Sequence, residues 1–447
     1  MVGNTPSFTQ ADWATNIALA QSAHIDAFAL NMAQGDSTND AQVPLAFAAA
    51  EASGFSLFFY FDYAGNGAWP QSTVLSFLNK YISSSAYYHV GDKPFVSTFE
   101  GPVNAIDWIQ IRAITNCLFY PDYSSLGAKA ALLAGGGAQI DGLFSWAAWP
   151  WGNTDMDTYV DASYAQFLDD EFGGNGSDFS HYMMAISPWF FTNLPGYDKN
   201  WLWRGDRLWY DRWIQANYLQ PEFVEILTWN DYGESHYIGP LDDRQYDAFD
   251  IGKAPYNYVL DMPHDGWRVL LPYLIDTYKN NISTITQEIL VGWYRPNPVV
   301  GSSCATGDTS GNTHSQFQVE FQPGDIVQDN IFYSALLSGP GATVTVTISG
   351  NTVVSLHPIR LHFQLQREEA DGDIHGGQVG GWAKTPFDGI GMYHGNVSMN
   401  GYTRAVTITL SRGGAVITGK DISTTCTDGI QNWNAWVGYA YGGKHHD

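Results

Sequence analysis

Residues 25–31, Ile-Asp-Ala-Phe-Ala-Leu-Asn, and 55–62, Phe-Ser-Leu-Phe-Phe-Tyr-Phe-Asp, are two apolar runs that each end in a polar group. Between them, residues 41–53 carry helical spacing and stop at Gly54. A strand buried on both faces reads as a near-continuous apolar run, and a helix joining two such strands sets them parallel in one sheet. This strand–helix–strand unit decides the reading of everything before residue 283.

Upstream, Thr9 reads as the N-cap of a helix through Trp13, Ile17, Ala20 and Gln21, with Asp12 at the third helical position. Downstream the alternation continues. Helices are expected near 71–83, 104–112, 124–134, 155–171, 205–218 and 266–280, and strands at 94–100, 115–120, 140–146, 181–187 and 223–229. Counting Val2–Thr5 as a truncated first strand gives eight strand-then-helix units, which predicts an α/β fold with a closed (β/α)8 TIM barrel. An open doubly wound sheet is the alternative; it would want a Gly-x-Gly-x-x-Gly loop after an early strand, and none stands there.

After residue 283 helical periodicity gives way to β-like runs at 287–294, 316–321, 329–337, 343–348, 359–366 and 403–410, with turns at Ser349-Gly-Asn and Arg412-Gly-Gly. The expected domains are therefore a catalytic barrel at 1–283 and an antiparallel β-sandwich at 284–447.

Barrel enzymes act at the C-terminal ends of their strands. Here those ends are Asn31, Asp62-Tyr63, Glu100, Tyr120-Pro-Asp122, Ser145-Trp146, Ser187-Pro-Trp189 and Trp229-Asn230-Asp231. Carboxylates, amides and indoles on one rim suit a sugar cleft, although any single one serves equally well as a helix cap or a buried partner. The last strand runs into Glu225–Gly239, EILTWNDYGESHYIG. There Asp231 and Glu234 stand three residues apart among Trp229, Tyr232 and Tyr237. Glycosidic cleavage needs one carboxyl to give a proton and another to activate water or attack carbon.

The composition narrows the function further. Against 45 Asp and Glu there are 20 Lys and Arg, a net charge of −25, which disfavours nucleic acid and anionic membrane as partners. No apolar stretch reaches 18 residues, so no transmembrane helix is expected. There are 17 Trp, 26 Tyr and 24 Phe, an excess that suits a protein handling carbohydrate. No secretory leader is visible, and the chain is expected to begin at an introduced Met after leader removal.

His24, His181 and His236 are scattered without a His-Glu-x-x-His pair, so no metal is expected; His236 reads as a rim hydrogen-bond partner. No Gly-x-Ser-x-Gly elbow occurs. Cys304 and Cys426 lie in β-like surroundings and could form a disulfide, while Cys117 reads as a small buried hydrophobe. Acceptor tripeptides start at Asn175, Asn281 and Asn396, compatible with secretion.

Val2-Gly-Asn-Thr5, Asp26-Ala-Phe-Ala-Leu-Asn31, Ser97-Thr-Phe-Glu-Gly101 and above all Thr228-Trp-Asn-Asp-Tyr-Gly-Glu-Ser-His-Tyr-Ile-Gly-Pro240 resemble the fungal α-1,3-glucanases (mutanases) of glycoside hydrolase family 71. The resemblance spans essentially the whole chain. Two departures are noted, His24 where a Gly is expected and the missing leader. It implies a secreted, extracellular, possible cell-wall enzyme that hydrolyses α-1,3-glucan with inversion and no cofactor, expected as a monomer. Carried onto this sequence, it makes Glu234 the general acid and Asp231 the base. Asn31, Asp62 and Glu100 would bind sugar hydroxyls, and Trp146, Trp149, Trp189 and Trp229 would stack on pyranose faces. Tyr63, Asn230, Tyr232 and His236 complete the expected substrate contacts. A non-catalytic glucan-binding protein and an α-mannan-cleaving relative are the alternatives.

Overall fold

The computed structural model describes residues 1–137, 139–173, 179–281, 284–313, 319–356, 359–360, 390–426 and 428–443. The chain divides into two compact units: Met1–Leu260, Trp267–Ser283 and Thr306–Val327 form the first, and Asp261–Gly266, Thr284–Ala305 and Gln328–Asp447 the second. The segment 306–327, expected with the C-terminal domain, sits in the first unit, where Ser310–Gly311 pairs in parallel with Lys199–Leu202.

In the first unit, β1 (Ala27–Ala33), β2 (Ser56–Asp62), β3 (Lys93–Phe99), β4 (Leu118–Asp122), β5 (Leu143–Ser145), β6 (Tyr182–Ile186) and β9 (Phe223–Ile226) form one parallel path in that order. A short strand, His89–Val90, pairs antiparallel with β3. The register sets Ala33 beside Asp62, Asp62 beside Phe99, and Phe99 beside Asp122, so polar strand ends line one rim. A separate hairpin, β7 (Phe191–Leu194) with β8 (Lys199–Leu202), follows β6.

Helices connect the parallel strands: α1 (Gln10–Ser22), α2 (Ser37–Ser53), α3 (Gln71–Tyr81), α4 (Asp107–Thr115), α5 (Ala128–Leu132), α6 (Tyr159–Phe172), α7 (Leu208–Leu219), and after β9 α8 (Leu271–Asn280). Thr9 and Asp12 make the expected capping box on α1. Gly54 ends α2 in the left-handed conformation, at φ 62°.

One expectation is corrected. Val2–Asn4 is a turn of 3-10 helix and not a strand, because Thr5 N and Thr5 Oγ1 both donate to Val2 O, at 2.9 and 2.7 Å. Among the described residues no ladder joins β9 to β1.

The second unit holds two antiparallel sheets. One contains β10 (Ile289–Tyr294), β11 (Asn330–Ser338), β14 (Ile390–Ser398) and β17 (Trp436–Tyr441), with Ile359–Arg360 at its edge. The other contains β12 (Val344–Ile348), β13 (Asn351–Leu356), β15 (Val406–Leu410) and β16 (Val416–Thr418). Leu290, Tyr333 and Leu337 share one buried cluster with Val346, Ile408 and Leu410. Cys304 and Cys426 are joined in a disulfide with Cα atoms 5.6 Å apart, and Cys117 is buried and free. Of the expected strands, 316–318 and 361–366 fall outside the described residues, as does the acceptor at Asn175.

Candidate active site

Beyond β9 the chain passes through buried Leu227 and turns back on itself. Thr228 N donates to His236 O at 2.8 Å and Ile238 N to Thr228 O at 2.9 Å, closing a loop that carries Asp231 and Glu234. Gly239 is required at its exit, because a Cβ there would lie 2.5 Å from Trp229 O. Inside the loop, Asp231 N donates to Thr228 Oγ1 at 3.0 Å and Glu234 N to Asp231 Oδ1 at 3.1 Å. The Tyr258 hydroxyl pins the loop from outside, donating to Gly233 O at 2.6 Å.

The second support is the β7–β8 hairpin, which the sequence reading lacks. Phe191 N donates to Glu234 O at 3.1 Å, and Lys199 Nζ reaches Glu234 Oε1 at 2.7 Å. Glu234 Oε2 meets His236 Nε2 at 2.9 Å, so both carboxylate oxygens of Glu234 are engaged. His236 is fully buried, with Phe190 stacked on its ring at 5.6 Å. It therefore orients the carboxylate from beneath instead of reaching a substrate at the rim.

These surroundings separate the two acids. Burial alone would raise the Glu234 carboxyl, but Lys199 and His236 together outweigh it and hold the group below the usual carboxylate range. Asp231 moves the other way, pushed up first by burial and then by the Glu234 charge. With 40% of its side chain exposed, Lys199 is partly screened by water, yet it sits directly on Glu234. The proton is thus favoured on Asp231 and disfavoured on Glu234. The sequence reading expects the opposite order, Glu234 as acid and Asp231 as base; the Lys199 charge is the largest influence holding Glu234 down.

Asp62 belongs to the same electrostatic neighbourhood. Burial raises its carboxyl, Ala64 N and Gly65 N both donate to its Oδ1 at 2.8 Å, and the charges of Lys199 and Glu234 reach it. One ligand atom each from Asp231, Glu234 and His236 lie within 4.8 Å of one another, a spacing a cation could bridge. The Lys199 ammonium already supplies a positive charge to that cluster.

The expected sugar contacts divide into three groups. Trp149 is partly exposed beside the pair, its ring 5.6 Å from that of His236 and its Nε1 donating to Trp189 O at 2.9 Å. Glu100 is half-buried at the end of β3 and accepts from Ser125 N at 2.9 Å. Asn31, Trp146 and Trp229 line a cavity of about 500 Å3 between β1 and β9, which the carboxylate pair does not line.

The third group is corrected. Trp189 is 1% exposed and packs on Trp267, and Tyr232 is 1% exposed with its hydroxyl on Pro240 O at 2.6 Å, so neither ring can stack on a sugar here. Tyr63 is likewise buried, and Asn230 spends its amide on Gln245 Oε1 at 2.8 Å. Bulky aromatics at strand ends are more often core than platform.

The whole chain, residues 1–447, matches the model of glycosyl hydrolase family 71. A mutanase of Penicillium rubens is 35% identical over 80% of this chain and 75% of its own length. The glucan endo-1,3-alpha-glucosidase agn1 of Schizosaccharomyces pombe is 34% identical over 79% of this chain and 80% of its own. Among solved structures, a GH99 endo-alpha-mannosidase from Bacteroides thetaiotaomicron aligns with a TM-score of 0.43 at 13% identity, covering 62% of this chain and 86% of that one. With a family match from end to end and relatives above one third identity, this chain is a glycoside hydrolase and belongs to glycosyl hydrolase family 71.

Proposed function

We propose that this protein hydrolyses the α-1,3-glucosidic bonds of α-1,3-glucan, with Asp231 donating the proton to the leaving oxygen and Glu234 activating the attacking water. The observation that carries this reading is the Lys199–Glu234 ion pair at 2.7 Å beside a half-buried Asp231 pushed up in pKa. One carboxyl is pushed towards its charged form and its neighbour towards its protonated form, the division that acid–base cleavage of a glycoside requires. The names of the family 71 relatives support the linkage. Trp149 and Asp62 are the residues proposed to meet sugar near the pair, with Glu100 proposed to do so from the end of β3.

The closed (β/α)8 barrel and the two-sheet sandwich belong to this proposal. The parallel path of strands supports the first, and the buried cluster common to both antiparallel sheets supports the second. Secretion and action as a monomer are proposed with it, supported by the Cys304–Cys426 disulfide and the acidic composition.

Stereochemistry turns on distance. Inverting pairs stand about 6.5–9.5 Å apart and retaining pairs about 5–5.5 Å. An oxygen of Asp231 and one of Glu234 lie within 4.8 Å of each other. For the inversion that the resemblance implies, sugar and water must enter between the two groups and part them.

The test is release of reducing sugar from a panel of α-glucans, β-glucans and α-mannan, with the anomer of the first product read by NMR. Cleavage of α-1,3-glucan with the β-anomer appearing first is the expected result. Cleavage of mannan alone, or glucan binding without cleavage, would replace the reading.

A further inference from the structure

Lys199 meets Glu234 from a hairpin that lies outside the parallel sheet. Among the described residues, β7 and β8 pair with each other and with Ser310–Gly311, and with no strand of the path from β1 to β9. A lysine carries its charge on a flexible four-carbon stem, so the ion pair keeps its length only where the main chain beneath it is held. In register, Lys199 stands opposite Leu194, and Asn200 opposite Asn193. Whatever fixes Asn193 and Leu194 against the loop 228–239 therefore fixes Lys199 against Glu234.

Two links join that loop to β7, and they differ in kind. Phe191 N donates directly to Glu234 O at 3.1 Å. Two residues along, Asn193 N donates to the Tyr258 hydroxyl at 3.2 Å, and the hydroxyl donates in turn to Gly233 O at 2.6 Å. The phenol oxygen thus bridges two main chains, in the place that an ordered water often fills. Tyr258 is 0% exposed, and the rings of Phe191 and Phe249 each lie 4.8 Å from its own. Burial raises its pKa far above the ordinary phenol range, so it remains a neutral donor. The same stretch of chain takes the hairpin at its turn, where Gly196 N donates to Gly252 O at 2.7 Å. Leu194 fills the space between: a Cβ at Gly233 would lie 3.1 Å from its Cδ1, and one at Gly252 2.9 Å from its Cδ2. Residues 252–258 hold the hairpin at two points, one of them the phenol that also holds the acid loop.

We propose that Tyr258 is a positioning residue of the reaction: its hydroxyl sets the spacing between the hairpin and the acid loop, and through it the Lys199–Glu234 contact. The proposal rests on the acid–base reading above, in which Lys199 keeps Glu234 ionised. Glu234 faces Lys199 from the hairpin, His236 and Asp231 from its own loop, and the Asp62 charge from the end of β2. Of these four, Lys199 alone moves with the hairpin. Loosening the bridge weakens its hold and lets the Glu234 carboxyl rise.

Tyr258→Phe, Phe249→Leu, Lys199→Met and the double variant Tyr258→Phe with Lys199→Met are compared on a soluble α-1,3-linked glucose oligosaccharide, with kcat and KM read across pH. Tyr258→Phe removes the bridging oxygen alone. It is expected to lower kcat by about tenfold or more with KM within about threefold, and to move the acid limb of kcat/KM to higher pH by about half a unit or more. Phe249→Leu loosens the packing on the same ring and leaves that limb in place. In the Lys199→Met background, Tyr258→Phe adds no further shift, because the charge it positions is gone. An unmoved limb in Tyr258→Phe, an equal shift in Phe249→Leu, or a full further shift in the double variant would overturn the proposal. A limb that Lys199→Met itself leaves in place would overturn the acid–base reading, and this inference with it. Should Tyr258→Phe not fold, Leu194→Ala opens the same junction between hairpin and loop, and an unmoved limb there overturns the proposal.

Discussion

In the proposed mechanism, Lys199 is the group that divides two neighbouring carboxyls into an acid and a base. Without its ammonium, burial of Glu234 is opposed only by His236, and the carboxyl rises. On that proposal the pair works above the pKa of Glu234 and below that of Asp231, which predicts that the acid limb of kcat/KM is the sensitive one. Lys199→Met moves that limb to higher pH by about one unit or more, and Lys199→Arg restores it; a lower rate with an unchanged profile would show that Lys199 only packs. Asp231 and Glu234 were legible as a short acidic motif after an apolar run. Lys199 was not, because it lies 35 residues from Glu234 and meets it only through the hairpin. A Pro195-Gly196 turn between two apolar runs was the signal for that hairpin.

Local rules located most elements and misjudged some of their ends. The Thr9–Asp12 box and the Gly54 stop were readable because each is satisfied within one helix turn. The strand expected at 223–229 closes at Ile226, since Thr228 and Trp229 spend their backbone bonds on residues 236, 238 and 239. β14 went unread because Gly395 and His394 break its apolar run. Gly395 is there because a Cβ would lie 2.4 Å from the Tyr333 hydroxyl on the facing strand. Gly142, at the entry to β5, is tighter still: a Cβ would lie 2.1 Å from Tyr120 Cε1 and 2.3 Å from His181 O. A backbone carbonyl cannot swing away, so Gly142→Ala destabilises the protein by about 1–3 kcal/mol or more, seen as a lower Tm. An unchanged Tm would mean that β5 shifts freely.

The alternation of apolar runs and helices along the chain was enough to identify a parallel α/β sheet, but not to show how its first and last strands meet, because that depends on an edge and not on a pattern. The interior of the sheet carries its own pH dependence. Burial pushes the carboxyls of Asp122 and Glu225 up to about 8 each, with their mutual charge adding to the Glu225 shift. Both are raised above their unfolded values, so their contribution to stability is complete below about pH 4 and is lost as the pH rises through about 8. Tm therefore falls between pH 4.5 and 8.5 at low salt. Asp122→Asn with Glu225→Gln flattens that slope, and melting curves across this window check it. An equal slope in the double variant would place the titration elsewhere.

Turnover of an α-1,3-linked glucose disaccharide activated as its anomeric fluoride, by Asp231→Asn and by Glu234→Gln, separates donor from base. Fluoride departs without a proton, so losing the donor costs little, while losing the base stops the attack by water. Asp231→Asn is predicted to keep fluoride turnover within about tenfold of the parent while its α-1,3-glucan hydrolysis drops by about 10²–10⁴, and Glu234→Gln is predicted to lose both. Fluoride turnover that survives in Glu234→Gln and vanishes in Asp231→Asn would contradict the assignment.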